Sequence, residues 1–177
     1  MMLIRMLRYS ALLLATGMAN TGAYADELTS AQAVIDAYSK KLVVTKDLDE
    51  EVREYLKGKP ELTNPGVVRL DINGDGVEDV ALLTKEKKSE ELWLRIFLCT
   101  SNCQESTPRQ LGHFDGIQYI GLIKAGSIVS QAGSLPGANV SKRLKNPAVA
   151  ITYSGKGKVV YYWEESEQKV KSIQASD

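Results

Sequence analysis

The segment from residue 71 to residue 79 combines residue types and spacings that can bind a metal ion. Oxygen-bearing side chains stand at alternate positions, with two glycines between them. The candidate ligands are the side chains of Asp71, Asn73, Asp75 and Asp79 and the backbone carbonyl of Val77. Calcium binds about six to eight hard oxygen ligands, of which one is commonly a peptide carbonyl. Three carboxylates this close repel one another unless a cation neutralises them. The segment therefore predicts a calcium site.

The same segment also fits a turn without a metal, because Asp and Asn side chains accept hydrogen bonds from nearby backbone amides and glycine adopts positive φ angles. An EF-hand is a poorer match. Its twelfth loop position should be a bidentate glutamate, and this chain has Leu82 there. An EF-hand also needs an entering helix, whereas Val67–Leu70 indicates a strand. Without that glutamate we expect an affinity of about 10⁻⁴–10⁻³ M, which suits a structural ion in an extracellular protein.

The spacing Asp-x-Asn-x-Asp-Gly-x-x-Asp, followed by the apolar run Val80–Leu83, resembles the calcium loop of the FG-GAP and VCBS repeat families. The resemblance covers about thirteen residues, from Asp71 to Leu83. It implies a β-loop-β metal site at the five positions named above. The chain has one copy of the loop and lacks the Phe-Gly-Gly-Ala-Pro signature, so the resemblance does not extend to a propeller or to an adhesive role.

The first 25 residues have the layout of a secretory signal peptide. Arg5 and Arg8 precede the apolar run Ala11–Met18, and a segment of small residues ends at Ala25. The apolar run is far shorter than the roughly 20 residues that span a bilayer, so we expect cleavage after Ala25 and no stable membrane anchor. The predicted location is the periplasm or the extracellular medium. The remainder, residues 26–177, is predicted to be one domain.

An oxidising destination favours a disulfide between Cys99 and Cys103, which are the two cysteines of the chain. Closing so short a loop contributes at most about 2 kcal/mol in the chain-entropy model, so the bond would mainly fix a tight turn. Zinc bound by both cysteines with His113 and Asp115 is an alternative, although no second histidine is present. Two free thiols are another alternative, and a thiol nucleophile would need His113 as its base.

Hydrophobic periodicity divides the rest of the chain into a helical front and a strand-rich remainder. A capping box at Thr29–Gln32 predicts a helix that ends near Val44, and Asp47 as N-cap predicts a second helix that stops at Gly58. Seven runs predict strands: Val67–Ile72, Val77–Thr84, Leu92–Thr100, Ile117–Lys124, Ala148–Tyr153, Val159–Glu164 and Lys169–Ile173. The segment Ser127–Pro147 is predicted to be a long loop. We therefore predict an α+β fold, with an N-terminal helical pair packed on a mainly antiparallel β-sheet.

Composition limits the functions that the chain can have. It has 22 basic and 22 acidic residues, so no basic excess indicates a nucleic-acid partner. No nucleophile elbow, P-loop or dinucleotide fingerprint occurs, and we assign no catalytic residue. Our interpretation is a small exported binding protein with a structural calcium loop, such as an inhibitor or immunity protein that binds another exported protein through Ser127–Pro147. The alternative is a cell-envelope hydrolase that uses carboxylates as acid and base.

Overall fold

The computed structural model describes residues 28–59, 62, 64–106, 108–131 and 141–175. Strands hold 47% of these residues and helical turns hold 15%. The helices are α1 (Ala31–Tyr38) and α2 (Glu50–Lys57). The strands are β1 (Val67–Leu70), β2 (Asp79–Lys85), β3 (Glu91–Cys99), β4 (Cys103–Glu105), β5 (Arg109–His113), β6 (Gln118–Ile123), β7 (Ile128–Ser130), β8 (Ser141–Arg143), β9 (Ala148–Tyr153), β10 (Gly157–Glu164) and β11 (Lys169–Ala175). The predicted signal peptide, with its cleavage site after Ala25, lies outside the described residues.

The described strands form three antiparallel sheets. The first has the order β1-β2-β3-β4, with β5 also paired to β3, and the second has the order β11-β10-β9-β6. Strands β7 and β8 form a separate two-stranded sheet. All seven predicted strand regions are confirmed, as β1, β2, β3, β6, β9, β10 and β11. Their alternating or continuously apolar residues are the pattern that buried strands require.

One apolar core is shared by the first two sheets and α2. Leu83 and Ile96 enter it from the first sheet, Ile120 and Ile151 from the second, and Val52 from α2. Strand β2 is buried on both faces, because Ala81 and Leu83 point into this core while Val80 and Leu82 pack under α1 in a second cluster. Such double burial explains why residues 80–83 are all apolar.

The predicted α+β fold is wrong, because the chain is predominantly β and its two helices do not form a pair. Each helix has only eight residues. Helix α1 places Ala31 and Val34 on the outer face of the first sheet, whereas α2 places Val52 and Leu56 in the central core. The helices therefore bury their apolar stripes in different clusters, and each depends on the sheets for its stability.

The helix boundaries also differ from the prediction. Helix α1 begins after Ser30, whose Oγ accepts a hydrogen bond from the Ala33 N–H at 3.2 Å, and it ends at Tyr38. Asp47 caps a single 3₁₀ turn by accepting from the Val44 N–H at 2.9 Å, and the N-cap of α2 is Asp49. Among the described residues, no helix is long and apolar enough to cross a membrane.

The predicted long loop Ser127–Pro147 is wrong at both of its ends. Strands β7 and β8 pair there, and Val129 and Leu144 are buried against the outer face of the second sheet. Residues 132–140 of this segment lie outside the described residues. Strands β7 and β8 have three residues each, which is too few to leave a periodic signal in the sequence.

Candidate calcium-binding loop

The candidate metal loop spans residues 71–78 and connects the antiparallel strands β1 and β2. Gly74 and Gly76 have φ angles of 79° and 85°, which glycine adopts without steric cost. These two residues curl the chain, so that the N–H groups of Gly74, Asp75 and Gly76 face the Asp71 carboxylate. The β-loop-β setting agrees with the prediction for this segment, and the strand entering it excludes an EF-hand.

Asp71 is the central acceptor of the loop. Its Oδ1 accepts hydrogen bonds from the Gly74 N–H at 2.7 Å and the Asp75 N–H at 3.1 Å, and its Oδ2 accepts one from the Gly76 N–H at 2.9 Å. One carboxylate therefore satisfies three consecutive turn amides. This arrangement fixes the path of the backbone before any ion is considered.

Asn73 and Asp75 interact with each other beside this centre. The Asn73 Nδ2 donates to Asp75 Oδ2 at 2.9 Å, and the Asn73 Oδ1 accepts from the Asp75 N–H at 3.1 Å. The second carboxylate oxygen of Asp75 accepts from the Val77 N–H at 2.8 Å. Asp75 is exposed, and Asn73 is half-buried. Both of these side chains lie within the loop that contains Asp71.

Asp79 differs from the other candidate ligands because it is completely buried. Its Oδ1 accepts from the Cys99 N–H at 2.8 Å and its Oδ2 accepts from the Ile72 N–H at 3.0 Å. Burial raises the pKa of the Asp79 carboxyl above its usual value, the N–H groups of Cys99 and Ile72 oppose that rise, and the negative charge of Asp75 adds to it. The loop thus contains a buried negative charge that a cation would stabilise.

Asp79 also links the loop to the cysteine pair. Cys99 ends β3 and faces Cys103 of β4 in the strand register, and their Sγ atoms lie 2.01 Å apart in a disulfide. The Cys103 N–H donates in turn to the Leu28 carbonyl ahead of α1 at 2.6 Å. Because both sulfurs are bonded to each other, the two thiolates that the zinc alternative requires do not exist in this structure.

The donor set has the chemistry that calcium prefers, although its oxygens are bonded to protein N–H groups in this structure. Every candidate side chain in the loop offers carboxylate or amide oxygen. Among the described residues, no three His, Cys, Asp or Glu side chains are grouped as metal ligands. Calcium binding would therefore require the exposed Asp75 and the half-buried Asp71 and Asn73 to direct oxygens away from backbone amides. The donor types at these positions are those that calcium prefers.

Asn146 is a candidate site residue that the sequence did not reveal. It lies between β8 and β9, and a Cβ built on Gly74 would come within 2.8 Å of its Nδ2 and 2.9 Å of its Oδ1. Its side-chain amide therefore packs on the loop backbone and offers one more oxygen near the loop. The sequence carries no signal for this residue, because only the tertiary fold brings it beside Gly74.

We expect Gly74→Ala to destabilise the protein more than Gly76→Ala. Both substitutions force alanine to a positive φ, which costs about 1 kcal/mol or more, but only the methyl at position 74 meets a neighbour, since the space beside Gly76 is open. Urea unfolding should show a difference of about 1 kcal/mol between the two variants.

The side chain of Asn146 supplies the control for this comparison. Adding Asn146→Ala to Gly74→Ala should bring the destabilisation close to that of Gly76→Ala, once the effect of Asn146→Ala alone is subtracted. Equal losses for the two single glycine variants would show that Asn146 does not pack on the loop.

His113 is exposed on β5, and its neighbour across the strand pair is Glu91. Two acidic segments offer carboxylates for the hydrolase alternative, Asp49–Glu51 and Glu164–Glu165, and they lie on different elements. Glu164 and Glu165 form ion pairs with Lys142 at 2.5 Å and with Lys145. Pairing with lysine stabilises the charged carboxylates, and the Lys142 ammonium lowers the pKa of Glu164. A lowered pKa is the opposite of what a general acid requires.

No family model matches this sequence, and neither a curated protein nor a solved structure is significantly similar to it. The resemblance of Asp71–Leu83 to the FG-GAP and VCBS loops stays a prediction from the sequence. Any function assigned to the chain has to rest on its own residues and their geometry.

Proposed function

We propose that this protein is an exported binding protein without catalytic activity, whose fold is stabilised by calcium in the loop of residues 71–79. The observation that carries the proposal is the position of Asp79, which accepts hydrogen bonds from both the loop and Cys99. An ion that orders the loop acts through this carboxylate on β3, the central strand of the first sheet. Loop occupancy and the stability of the sheet are therefore coupled.

The ion would be held by side-chain oxygens of Asp71, Asn73 and Asp75. Val77 would contribute its backbone carbonyl, and Asp79 its buried negative charge. The half-exposed position of the loop suits an ion exchanged with the surrounding medium. Calcium is present at millimolar levels only outside the cytosol, which matches the weak affinity expected without a bidentate glutamate. The signal-peptide layout of residues 1–25 supports the same compartment.

The calcium part of the proposal is tested by thermal unfolding of the chain in excess chelator and in about 10 mM calcium. For a dissociation constant of about 10⁻⁴–10⁻³ M, that concentration stabilises the native state by about 1.4–2.7 kcal/mol. The unfolding midpoint should then rise by about 3–10 °C. Magnesium at the same concentration should produce little of this rise, because it demands a smaller octahedral site.

Two substitutions make the calcium measurement specific. Asp75→Ala should abolish the rise, because it removes an exposed loop carboxylate. Asp36→Ala removes an exposed carboxylate on α1, away from the loop, and should leave the rise intact. Identical midpoints with and without calcium in the unsubstituted chain would contradict the calcium site and leave the loop as a hydrogen-bonded turn.

The binding part of the proposal is tested by immobilising the chain and passing over it the exported proteins of the source cells, in calcium and in chelator. We expect one partner to be retained in a fixed stoichiometry, with less retained in chelator. Inhibitor and immunity proteins form complexes of this kind. Retention of no stoichiometric partner under either condition would contradict the proposal.

A further inference from the structure

A lysine-rich surface lies at the end of β2 opposite the calcium loop. Strand β2 begins at Asp79, directly after the loop, and ends at Lys85, about 20 Å away at the rise of an extended strand. Segment 39–46 runs beside that end, where the Lys85 N–H donates to the Lys41 carbonyl at 2.7 Å. The lysine-rich surface consists of Lys40, Lys41, Lys46, Lys85, Lys87 and Lys88.

The positive charge of this surface is only partly compensated. Lys41 pairs with Glu86 at 2.8 Å, and Lys85 pairs with Asp47 at 3.3 Å. The other four lysines are exposed and form no ion pair with the described residues. Three carboxylates line the same surface, namely Asp47, Glu86 and Glu90, so six lysines leave an excess of three positive charges.

The surface is concave. It contains two depressions of about 410 Å³ each, and Lys40, Lys41 and Lys87 line both of them. Low-dielectric walls around a charged depression concentrate the electrostatic field and draw in groups of opposite charge. The shape therefore favours a ligand whose anionic groups protrude into the depressions over a ligand with a flat charged surface.

The residue types in the depressions narrow the chemistry of the occupant. Neither depression is lined by arginine, whose forked guanidinium is the usual choice for bidentate phosphate recognition. Neither is lined by an aromatic ring, on which a nucleic-acid base or a sugar would stack. In the part of the chain that the structure describes, the large exposed apolar side chains are those of Tyr55, Val77, Leu122 and Ile128. None of them lines either depression, so the depressions offer no such side chain to insert into a bilayer. Side-chain carboxylates remain the best match to separate ammonium groups.

We propose that the lysine-rich surface binds an acidic segment of a partner protein, with glutamate or aspartate side chains entering the two depressions. This inference rests on the proposed function for its choice of a protein as the occupant. Complementary charge of this kind mainly accelerates association and selects the partner. Its strength falls with ionic strength, because the Debye length shrinks to about 10 Å at 0.1 M salt.

The test uses a fluorescein-labelled peptide of about sixteen glutamates as the probe and fluorescence anisotropy as the measurement. The full secreted chain should bind this peptide at low salt and release it as salt approaches about 0.2 M. The triple variant Lys40→Gln, Lys87→Gln and Lys88→Gln should weaken binding by about tenfold or more, since it removes three exposed charge pairs with the peptide. These side chains are exposed, so we expect the unfolding midpoint to stay the same.

A matched triple variant, Lys57→Gln, Lys124→Gln and Lys156→Gln, loses the same charge from other parts of the surface. It should change the affinity for the peptide by less than about twofold. Equal weakening in the two triples would overturn the inference, because net charge alone would then explain the binding. Absence of peptide binding at low salt would also overturn it.

Three competing polyanions decide the class of occupant. Phosphatidylglycerol vesicles, polyphosphate and polygalacturonate are compared with the peptide at matched charge. One result would overturn the inference of an acidic protein segment. It is that one of these polyanions binds more tightly than the peptide and that this binding is lost in the Lys40, Lys87 and Lys88 variant. The occupant would then belong to the class of that polyanion. Weaker binding of all three supports it.

The partner-capture experiment separates this inference from the proposed function. If a stoichiometric partner is retained equally by the unsubstituted chain and by the Lys40, Lys87 and Lys88 variant, the surface inference fails and the proposed function stands. If the glutamate peptide binds at the surface but no partner is retained, the proposed function fails and the surface keeps its specificity for carboxylates.

Discussion

Replacement of Asp79 by alanine should destabilise the protein by about 2–4 kcal/mol in chelator, measured by urea unfolding at neutral pH. The substitution leaves two N–H groups, those of Ile72 and Cys99, without their acceptor in a completely buried environment. Each unsatisfied buried donor costs about 1–3 kcal/mol. Part of that cost is offset, because the burial that raises the pKa of Asp79 also makes its charged form unfavourable.

Two further substitutions show whether the loss comes from buried hydrogen bonding. Asp79→Asn keeps one acceptor oxygen and places an amide NH₂ against a backbone donor, so its stability should lie between those of the unsubstituted chain and Asp79→Ala. Asp75→Ala removes an exposed acceptor whose two donors, the Val77 N–H and the Asn73 Nδ2, can turn to water, and should cost less than about 1 kcal/mol in chelator. If Asp79→Ala were no more destabilising than Asp75→Ala, the hydrogen bonds from Asp79 to Ile72 and Cys99 would not hold the loop against β3.

Much of the sheet could be predicted from the sequence, because long buried strands carry their own signal. Strand β2 is the clearest example, since its apolar run 80–83 is buried on both faces. Strands β4, β5, β7 and β8 could not be predicted, because each has only three to five residues, as Ser141–Arg143 illustrates. Backbone pairing with a neighbour holds such strands, and pairing partners distant in sequence leave no local pattern.

The fold class was mispredicted for a related reason. The amphipathic patterns of α1 and α2 correctly predicted helices. They did not show which part of the fold each apolar face packs against. Val34 packs with Phe97 on one side of the first sheet, whereas Leu56 enters the core on its other side. Two short helices adjacent in sequence favour a helical pair only when they share an apolar face, and these do not.

The turn at residues 71–79 could be predicted because its polar side chains and glycines lie within nine residues, where local spacing determines which backbone amides each side chain can reach. The contact of Asn146 with the loop could not be predicted from the sequence, and neither could the lysine-rich surface. Both depend on chain segments that are far apart in sequence. Lys41 and Glu86 are 45 residues apart and form an ion pair. A formal net charge of zero concealed this local excess, because composition does not record where charges lie.

The packing of segment 41–43 against β2 depends on a second position with a large expected effect, Gly66. The Val43 N–H donates to the Leu83 carbonyl at 2.9 Å, and the Leu83 N–H donates to the Gly66 carbonyl at 2.8 Å. Three chain segments therefore meet at one point of the core. A Cβ on Gly66 would lie 2.2 Å from the Val43 carbonyl oxygen, which is backbone and cannot swing aside as a side chain can.

Gly66→Ala should therefore destabilise the protein by about 3 kcal/mol, at the upper end of overpacking effects, with urea unfolding as the measurement. Gly58→Ala is the matched control, because a Cβ there meets nothing within 4 Å at the exposed end of α2, and its stability should change by less than about 1 kcal/mol. The shift forced on Val43 should also displace Lys41 and weaken binding of the glutamate peptide in any Gly66→Ala protein that remains folded. Equal stability of the two alanine variants would mean that segment 41–43 does not pack on Gly66.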